Sequence, residues 1–246
     1  MVDLAIIGGT GLTSLKNLEI VRREVVHTPY GEPSGALTFG NLCGTEIVFL
    51  ARHGYGHTIP PHMVNYRANM WALKYAGVTR VISICSVGGI RGDIGPGALV
   101  IPDQIIDYTW SRKHTFYEKD LKQVTHIDFT EPYCEQMRQD LVAGAAAAGI
   151  ELIVGGVYGA TQGPRLESAA EINRMERDGC DIVGMTGMPE VALARETGLC
   201  YAACAVCANR GAGRGNGAID MDEIESTLHS SMAQVRTLLE HTINPG

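Results

Sequence analysis

The chain has 246 residues, 45% of them hydrophobic and 19% charged, so it is long enough for one large globular domain over residues 1–246. Its formal net charge of -7 argues against a nucleic-acid-binding surface, because binding to a polyanion depends on Lys and Arg. Because no apolar run has transmembrane length and the N-terminus lacks the basic flank of a signal peptide, we expect a cytoplasmic protein.

Strands and helices are predicted to alternate along most of the chain. Short apolar runs predict strands at 2–7, in a hairpin over 35–52 that turns at Gly44, and at 80–86, 98–106, 151–158, 181–185 and 199–207. Helical periodicity and start signals predict helices at 61–76, 131–148, 168–178, 189–196 and 222–241. This alternation is typical of α/β proteins, and the hairpin adds antiparallel pairing, so we expect a mixed sheet flanked by helices.

Residues that can bind an anion follow several of the predicted strands. Thr10 lies in the glycine-rich turn GGTGL, Arg52 and His53 follow the hairpin, Ser86 begins SVGG, and Thr186 lies in GMTGMPE. Ligands of α/β sheets gather at the carboxyl ends of strands, so these loops should meet. Charge-assisted bonds from Arg and His, with hydroxyls and backbone amides, would form a cage that suits phosphate. The residues alone therefore predict a small-molecule enzyme that uses phosphate or a phosphorylated ligand.

Two other interpretations of these loops stay open. The turn GGTGLTS is similar to the start of a dinucleotide-binding domain, although Ser14 stands where the third glycine is expected. The spacings of His53, His57 and His62 could also suit zinc. No carboxylate lies among these histidines, however, and two nearby Arg would repel a dication.

The cysteines offer a further metal-like pattern. Cys200, Cys204 and Cys207 lie in the apolar run LCYAACAVCAN, which is more typical of a buried strand in which Cys acts as a small hydrophobic residue. The chain has seven Cys and no secretory features, so we do not expect a disulfide framework.

Four segments resemble the trimeric purine nucleoside phosphorylases, and above all their methylthioadenosine phosphorylase branch. They are LARHGYGHTIPPHMVNYRANMWALK, SVGGIRGDIGPGALVIPDQIIDYT, GATQGPRLES and GMTGMPEVALARE, and the likeness runs nearly end to end. The resemblance implies phosphorolysis of an N-glycosidic bond to a purine base and a ribose 1-phosphate. It also implies a single α/β domain around a mixed, partly barrelled sheet, and a homotrimer with sites at subunit contacts. Inorganic phosphate would be a co-substrate, so no metal or organic cofactor is expected.

By motif position, the resemblance also assigns roles to residues of the cage. The residues that would bind phosphate are Thr10, Arg52, His53, the backbone at Ser86, and Thr186. Met185 would lie under the ribose, where its thioether packs against the sugar. His57, His62 and Asn65 would shape the wall or a neighbouring contact, with a purely structural role as the alternative.

The base pocket departs from the adenine-specific branch. That branch carries Asp residues in the loop after the last strand, whereas this loop reads CANRGAGRGN and has Asn209 at the first such position. An amide can donate to N7 and O6 of a 6-oxopurine, whereas an ionised carboxylate can only accept. Glu167 occupies the place of a Glu that accepts from N1–H in 6-oxopurine enzymes, or else it merely starts the next helix. Leu166 would cover the base, and Asn209 and His53 are the predicted catalytic residues.

The sugar end of the pocket is predicted to be apolar. Met221 stands where inosine-cleaving enzymes carry a His for the 5'-hydroxyl, and Ile224 follows one helical turn later. Both could equally be core residues at helical spacing. His126 matches a position that the methylthio branch lends from an adjacent subunit. The expected substrate is S-methyl-5'-thioinosine. The alternatives are methylthioadenosine, inosine or guanosine, and a nucleoside sensor without turnover.

Overall fold

The computed structural model describes residues 2–119, 121–215 and 217–244, in which strands and helices alternate. The strands are β1 (Leu4–Gly8), β2 (Glu19–Glu24), β3 (Leu37–Leu42), β4 (Thr45–Ala51), β5 (Arg80–Gly89), β6 (Leu99–Ile101), β7 (Gln104–Asp107), β8 (Ile153–Val154), β9 (Val157–Ala160), β10 (Ile182–Gly184) and β11 (Cys200–Arg210). The helices are α1 (Tyr66–Tyr75), α2 (Glu135–Ala148), α3 (Ala169–Arg177), α4 (Gly187–Glu196) and α5 (Met221–Ile243), and a short 3-10 helix spans Pro61–Met63.

The strands form one mixed sheet that branches at β5. Its main path runs β2-β3-β4-β1-β5-β10-β9-β7, while β11 pairs with both β5 and β6, and β6 pairs with β8. β1 lies parallel to β4 and β5, whereas β3 and β4 form an antiparallel hairpin and β10 runs antiparallel to β5. The predicted α/β class with a mixed sheet flanked by helices is confirmed.

Several element boundaries follow from local sequence signals. The hairpin turns at Cys43 and Gly44, whose φ angles of 51° and 82° give the two-residue left-handed turn that suits twisted strands. Helix α3 begins with a capping box, in which the Ser168 side chain accepts from the Glu171 amide and the Glu171 side chain accepts from the Ser168 amide. The predicted turn at Gly44 and the predicted start at Ser168 are therefore correct.

Two predicted strands are each divided in the structure. The run 98–106 separates into β6 and β7 at Pro102, which has no backbone N–H for a ladder. The run 151–158 divides at Gly155 and Gly156, which have φ angles of 87° and 126°. In each case the halves pair with different neighbours, β6 with β11 and β7 with β9. Strand β2 was not predicted, because all its residues are exposed and show no buried alternation.

The helices cover both faces of the sheet. On one face, Ala5 and Ile7 of β1 belong to a core that includes Met70 of α1 and Val191 of α4. On the other face, Leu4 and Ile6 belong to a core with Met137 and Leu141 of α2 and Val235 and Leu238 of α5. The alternation along β1 therefore separates two apolar layers, as expected for a strand buried on both sides. No helix among the described residues is both long and apolar enough to cross a membrane.

The structure contains one disulfide and five free cysteines. Cys134, just before α2, and Cys200, at the start of β11, form the disulfide with an S–S distance of 2.01 Å. The sequence left open whether any pair is oxidised and predicted no disulfide framework, and only the fold brings this pair together. Cys204 and Cys207 are buried free thiols in β11, and burial raises the pKa of Cys207 to about 11. They act as core residues, as the apolar run indicated.

Candidate active site

A cavity of about 520 Å³ is lined by residues of the loops after β1, β4, β9, β10 and β11, by residues within β5 and β11, and by the start of α5. Except for His126, every predicted site residue lines it: Thr10, Arg52, His53, Ser86, Leu166, Glu167, Met185, Thr186, Asn209, Met221 and Ile224. His126 lies apart, exposed in the long segment between β7 and α2. The fold therefore gathers residues from seven separate parts of the chain into one site.

The glycine-rich turn after β1 places Thr10 beside a histidine. The Thr10 hydroxyl lies 3.1 Å from Nε2 of His57, so His57 contacts a cage residue as well as lining the wall. Because residues 9–18 contain no helix, the dinucleotide interpretation, which requires a helix at this turn, is wrong. A side chain at Gly9 would stand 2.5 Å from the Ile84 carbonyl and 3.0 Å from Nη1 of Arg52, so only glycine allows this close approach.

Arg52 is fully buried, and a carboxylate matches its charge. Its Nε and Nη2 donate to the two carboxylate oxygens of Glu190 at 2.6 and 2.9 Å. Nη2 also donates to the Ser83 hydroxyl at 2.6 Å, and Nη1 donates to the Ile84 carbonyl at 3.0 Å. Of the five N–H bonds of an arginine, these contacts use four and leave one on Nη1. Arg52, which is predicted to bind phosphate, is therefore part of a neutral ion pair in the structure.

The electrostatics of the pair keep both groups charged. Burial alone would lower the pKa of Arg52, but the charge and hydrogen bonds of Glu190 raise it above its usual value. Burial likewise would raise the pKa of Glu190, and the Arg52 charge brings it below its usual value. Glu190 also accepts from the hydroxyls of Ser83 and Tyr201 at 2.7 and 2.8 Å. The pair is thus an ionised, buried unit at the wall of the cavity, with one N–H of Arg52 left without a partner among the described residues.

His53 is held as one neutral tautomer. Its Nδ1 lies 2.8 Å from the Ile59 carbonyl, which can only accept, so Nδ1 carries the proton. Burial and the Arg52 charge lower the pKa of His53 to about 4, so the ring is neutral near pH 7. The Nε2 atom is then an acceptor. The contact of His53 with phosphate stays a prediction, and in this tautomer Nε2 would accept from a protonated phosphate oxygen rather than donate.

The remaining polar groups of the cage are uncharged. Thr186 lies between β10 and α4, and its backbone N–H donates to the Tyr158 hydroxyl at 3.4 Å. Ser86 lines the cavity from within β5. With Arg52 neutralised by Glu190, hydroxyls and N–H groups dominate this end of the cavity, which is a suitable environment for an oxyanion.

An amide and a carboxylate that are predicted to bind the base line the cavity. Asn209 lies in β11, just after a shift in register, and its Nδ2 donates to the Arg210 carbonyl at 2.6 Å. Only one N–H of the amide remains for a ligand, so the predicted pair of bonds to N7 and O6 is reduced to one. Glu167 lines the same cavity, and Leu166 is 38% exposed beside it. Asn216 of this loop lies outside the described residues.

The residues that are predicted to contact the sugar are apolar. Met185 lines the cavity beside Gly163, whose φ is 63° and where a side chain would approach the Met185 sulfur to 2.4 Å. Glycine at 163 is therefore needed for both its backbone angle and the space for Met185. Met221 and Ile224 from the first turn of α5 line the same cavity, and Met221 is 62% exposed. Ile224 also packs against the core beneath α5, so it belongs to both the cavity wall and the core.

The other histidines of the opening motif lie in different surroundings. His62 belongs to the short 3-10 helix and does not line the cavity. Asn65 caps α1 by accepting from the Ala68 amide at 3.1 Å, a structural role that the sequence analysis kept as an alternative. No group of three His, Cys, Asp or Glu side chains within the described ranges is arranged to hold a metal. The zinc interpretation of His53, His57 and His62 therefore lacks a ligand cluster.

The sequence analysis missed three residues that support this site. Glu190 stood within the quoted motif GMTGMPEVALARE, where an acidic residue on an apolar helix was the available signal. Thr161 stood in GATQGPRLES, and its hydroxyl donates to Glu167 at 2.5 Å. Arg112 is buried, and it donates to the backbone carbonyls of Thr161 and Gln162 at 3.1 and 2.8 Å. None of these contacts could be read from spacing along the chain.

The sequence matches the model of the Phosphorylase superfamily over residues 3–244. It is 52% identical to the "Probable S-methyl-5'-thioinosine phosphorylase" of Pseudomonas syringae pv. tomato over 99% of each chain. It is 43% identical to the "Probable 6-oxopurine nucleoside phosphorylase" of Thermococcus kodakarensis, covering 99% of this chain and 92% of the other. Methylthioadenosine phosphorylase from Schistosoma mansoni in complex with adenine has a TM-score of 0.93 at 35% identity, over 99% of this chain and 91% of the other.

Proposed function

Because the chain belongs to the phosphorylase superfamily, we propose that it cleaves S-methyl-5'-thioinosine with inorganic phosphate. The products are hypoxanthine and 5-methylthioribose 1-phosphate. The observation that carries this proposal is that Glu167 and Asn209 line the same cavity as the hydroxyls of Thr10 and Thr186 and the apolar side chain of Met221. One cavity thus offers groups suited to a 6-oxopurine, to phosphate and to a methylthio group.

The base end supports a 6-oxopurine. Hypoxanthine has a proton on N1 and an acceptor at O6, whereas neutral adenine has an acceptor at N1 and a donor at its 6-amino group. The carboxylate of Glu167 can accept from N1–H, and the free N–H of Asn209 can donate to O6. Adenine in the same position would place its acceptor N1 against the Glu167 carboxylate, which can also only accept. Leaving a buried acceptor without a donor in this way costs about 1–3 kcal/mol.

The phosphate end supports attack on C1' of the nucleoside. Departure of the base gives the ribosyl ring positive character, which a phosphate beneath the ring stabilises. The hydroxyls of Thr10 and Thr186 and the remaining N–H of Arg52 donate to phosphate oxygens. Nε2 of His53 accepts from the P–O–H group of hydrogen phosphate. As electrons flow into the leaving base, the bond from Asn209 to O6 strengthens, which lowers the energy of the transition state more than that of the bound substrate.

A second candidate is phosphorolysis of nucleosides with a free 5'-hydroxyl, such as inosine. It is favoured by the exposure of Met221, which leaves the sugar end of the cavity open to water. A hydroxyl directed to solvent would lose no hydrogen bond there. Against this candidate, Met221 and Ile224 offer a 5'-hydroxyl no partner, whereas both can pack against a methylthio group.

We also propose that the enzyme is a cytoplasmic homotrimer. Support for an assembly comes from the segment between β7 and α2, where Trp110, Leu121, Val124 and Ile127 are exposed near His126 in the sequence. Such apolar exposure is typical of a surface that another chain covers. Light scattering should give the mass of three chains, and a single-chain mass would contradict the proposal. Cell fractionation tests the location.

Base release by the purified protein tests the function. Methylthioinosine, methylthioadenosine and inosine are compared at equal concentration, each with and without phosphate. Phosphate-dependent hypoxanthine release, fastest from methylthioinosine, is expected. Adenine as the main product would refute the base assignment. Equal rates of base release from inosine and methylthioinosine would favour the second candidate, and no release from any of the three would favour a binding protein. We propose that no metal or organic cofactor takes part, so dialysis against EDTA should leave the rate unchanged.

A further inference from the structure

The carboxylate of Glu167 accepts a hydrogen bond on the side that faces away from the candidate active-site cavity. The Thr161 hydroxyl lies 2.5 Å from Oε1 of Glu167, and Thr161 is only 8% exposed. Thr161 does not line the cavity of about 520 Å³; it lines a neighbouring cavity of about 410 Å³, which Glu167 also borders. Glu167 therefore forms part of the wall between two cavities, with Thr161 behind it.

The hydroxyl proton of Thr161 is directed at the carboxylate. The only other acceptor near this hydroxyl in the described chain is the Gly184 carbonyl, at 3.3 Å. That carbonyl already accepts from the backbone N–H of Thr161 at 2.8 Å. A hydroxyl has one proton, and a bond to an ionised oxygen is shorter and stronger than one to a neutral carbonyl. The proton therefore bonds Oε1 of Glu167.

The backbone of Thr161 is itself fixed on two sides. Its N–H is bonded to Gly184 of β10, and its carbonyl accepts from Nη2 of the buried Arg112 at 3.1 Å. Another nitrogen of Arg112, Nη1, donates to the carbonyl of Met185 at 2.9 Å, so one guanidinium joins the base side to the ribose side. The hydroxyl thus projects from a rigid support, as a residue that orients a binding group requires.

The hydrogen bonds of the described residues engage Glu167 only through Oε1, leaving Oε2 for a ligand. The nearest guanidinium in sequence, Arg165, is paired with Glu171 at 2.7 Å instead. We propose that Thr161 is a positioning residue that orients the Glu167 carboxylate towards N1–H of a 6-oxopurine and so sets base selectivity. This inference deepens the proposed function and rests on its assignment of Glu167 to the base.

The test compares the variants Thr161→Val and Thr161→Ser with the wild type. Valine keeps the shape and removes the donor, whereas serine keeps the donor. For Thr161→Val we expect kcat/KM for methylthioinosine to fall about tenfold, mainly through KM, because a bond to a charged group is lost. The value for methylthioadenosine should not fall, so the selectivity ratio drops about tenfold. Thr161→Ser should restore most of the ratio.

Two controls separate orientation from general damage. Thr242→Val removes a partly buried hydroxyl that donates only to the Leu238 carbonyl, and it should leave the ratio unchanged. In a Glu167→Gln background, Thr161→Val should have little further effect on the ratio, because the two residues act through one interaction. An unchanged ratio in Thr161→Val, or equal losses with both nucleosides, would overturn the proposal.

Binding of the free bases distinguishes this inference from the proposed function. Titration of the wild type and of Thr161→Val with hypoxanthine and with adenine does not depend on the sugar. One outcome is that the variant binds hypoxanthine over adenine with a preference about tenfold lower than that of the wild type, while methylthioinosine proves a poor substrate. That result would support the positioning role of Thr161 and refute only the assignment of the sugar. If the wild type prefers adenine, both the base assignment and the role of Thr161 are refuted.

Discussion

Replacing Glu190 by glutamine should destabilise the protein more than any surface charge replacement. The glutamine has nearly the same shape, but it is neutral and presents an NH2 group where the carboxylate accepts from Arg52. Arg52 is 0% exposed, so its charge would remain buried without a counter-charge. The hydroxyls of Ser83 and Tyr201 can rotate to accommodate the amide, but Nε and Nη2 of Arg52 cannot become acceptors.

The magnitude follows from the burial of the pair. Removing one partner of a buried ion pair costs about 3–5 kcal/mol, because the other charge is left in a medium of low polarity. For a chain of this length, about 2–4 °C of melting temperature is lost for each kcal/mol, so a decrease of about 10 °C is expected. That loss is a large share of the total stability of a typical protein, which is about 5–15 kcal/mol.

The assay is thermal unfolding at one fixed protein concentration, followed by circular dichroism and repeated in urea. The control is Glu46→Gln, because Glu46 pairs with Arg22 at 3.7 Å and both side chains are about half exposed. An exposed pair of this kind is worth about 0–1 kcal/mol, so the control should melt near the wild type. If Glu190→Gln melts within about 1 °C of the wild type, the buried pair does not hold this part of the fold together.

Three further predictions concern the site. In Asn209→Asp the carboxylate cannot donate to the Arg210 carbonyl or to O6, so the kcat/KM ratio of methylthioadenosine to methylthioinosine should rise about tenfold or more. An unchanged ratio would refute the assignment of Asn209 to the base. The pKa of His53 is about 4 in the folded protein and 6.5 in the free side chain, so the unfolded chain binds more protons between these pH values. The free energy of unfolding should therefore fall as the pH is lowered from 6.5 to 4, by up to about 1.4 kcal/mol per pH unit. His53→Asn should reduce this slope in urea unfolding and His27→Asn should not; equal slopes in both would contradict it. Met221→Ser should lower kcat/KM about fivefold for methylthioinosine but not for inosine. The control is Met63→Ser, because Met63 is exposed and lies outside the cavity, and it should change neither value. An equal loss for both nucleosides would mean that Met221 has a structural role.

Most helices and strands, and most residues that line the cavity, could be predicted from the sequence, whereas the exposed strand β2 and the division of two strands could not. Local signals were sufficient where the physical cause is local, as in the turn at Gly44, where left-handed angles favour glycine, and the capping box at Ser168. The loops after β1 and β4 could be predicted to meet because these strands are parallel, so that their carboxyl ends lie at one edge of the sheet. Ser86, within β5, and Thr186, after the antiparallel strand β10, are brought there only by the folded sheet. The resemblance of the motifs then added Glu167, Asn209 and Met221, which all line the cavity.

Tertiary structure alone decided how those residues are partnered. Arg52 and Glu190 lie 138 positions apart in sequence, and no spacing rule predicts that the guanidinium of Arg52 is neutralised by this carboxylate. The tautomer of His53 depends on where the Ile59 carbonyl points, and the orientation of Glu167 depends on the hydroxyl of Thr161. Residue identity determines which hydrogen bonds and charges are available, whereas burial and distance determine which are used, and both arise only when the chain is folded.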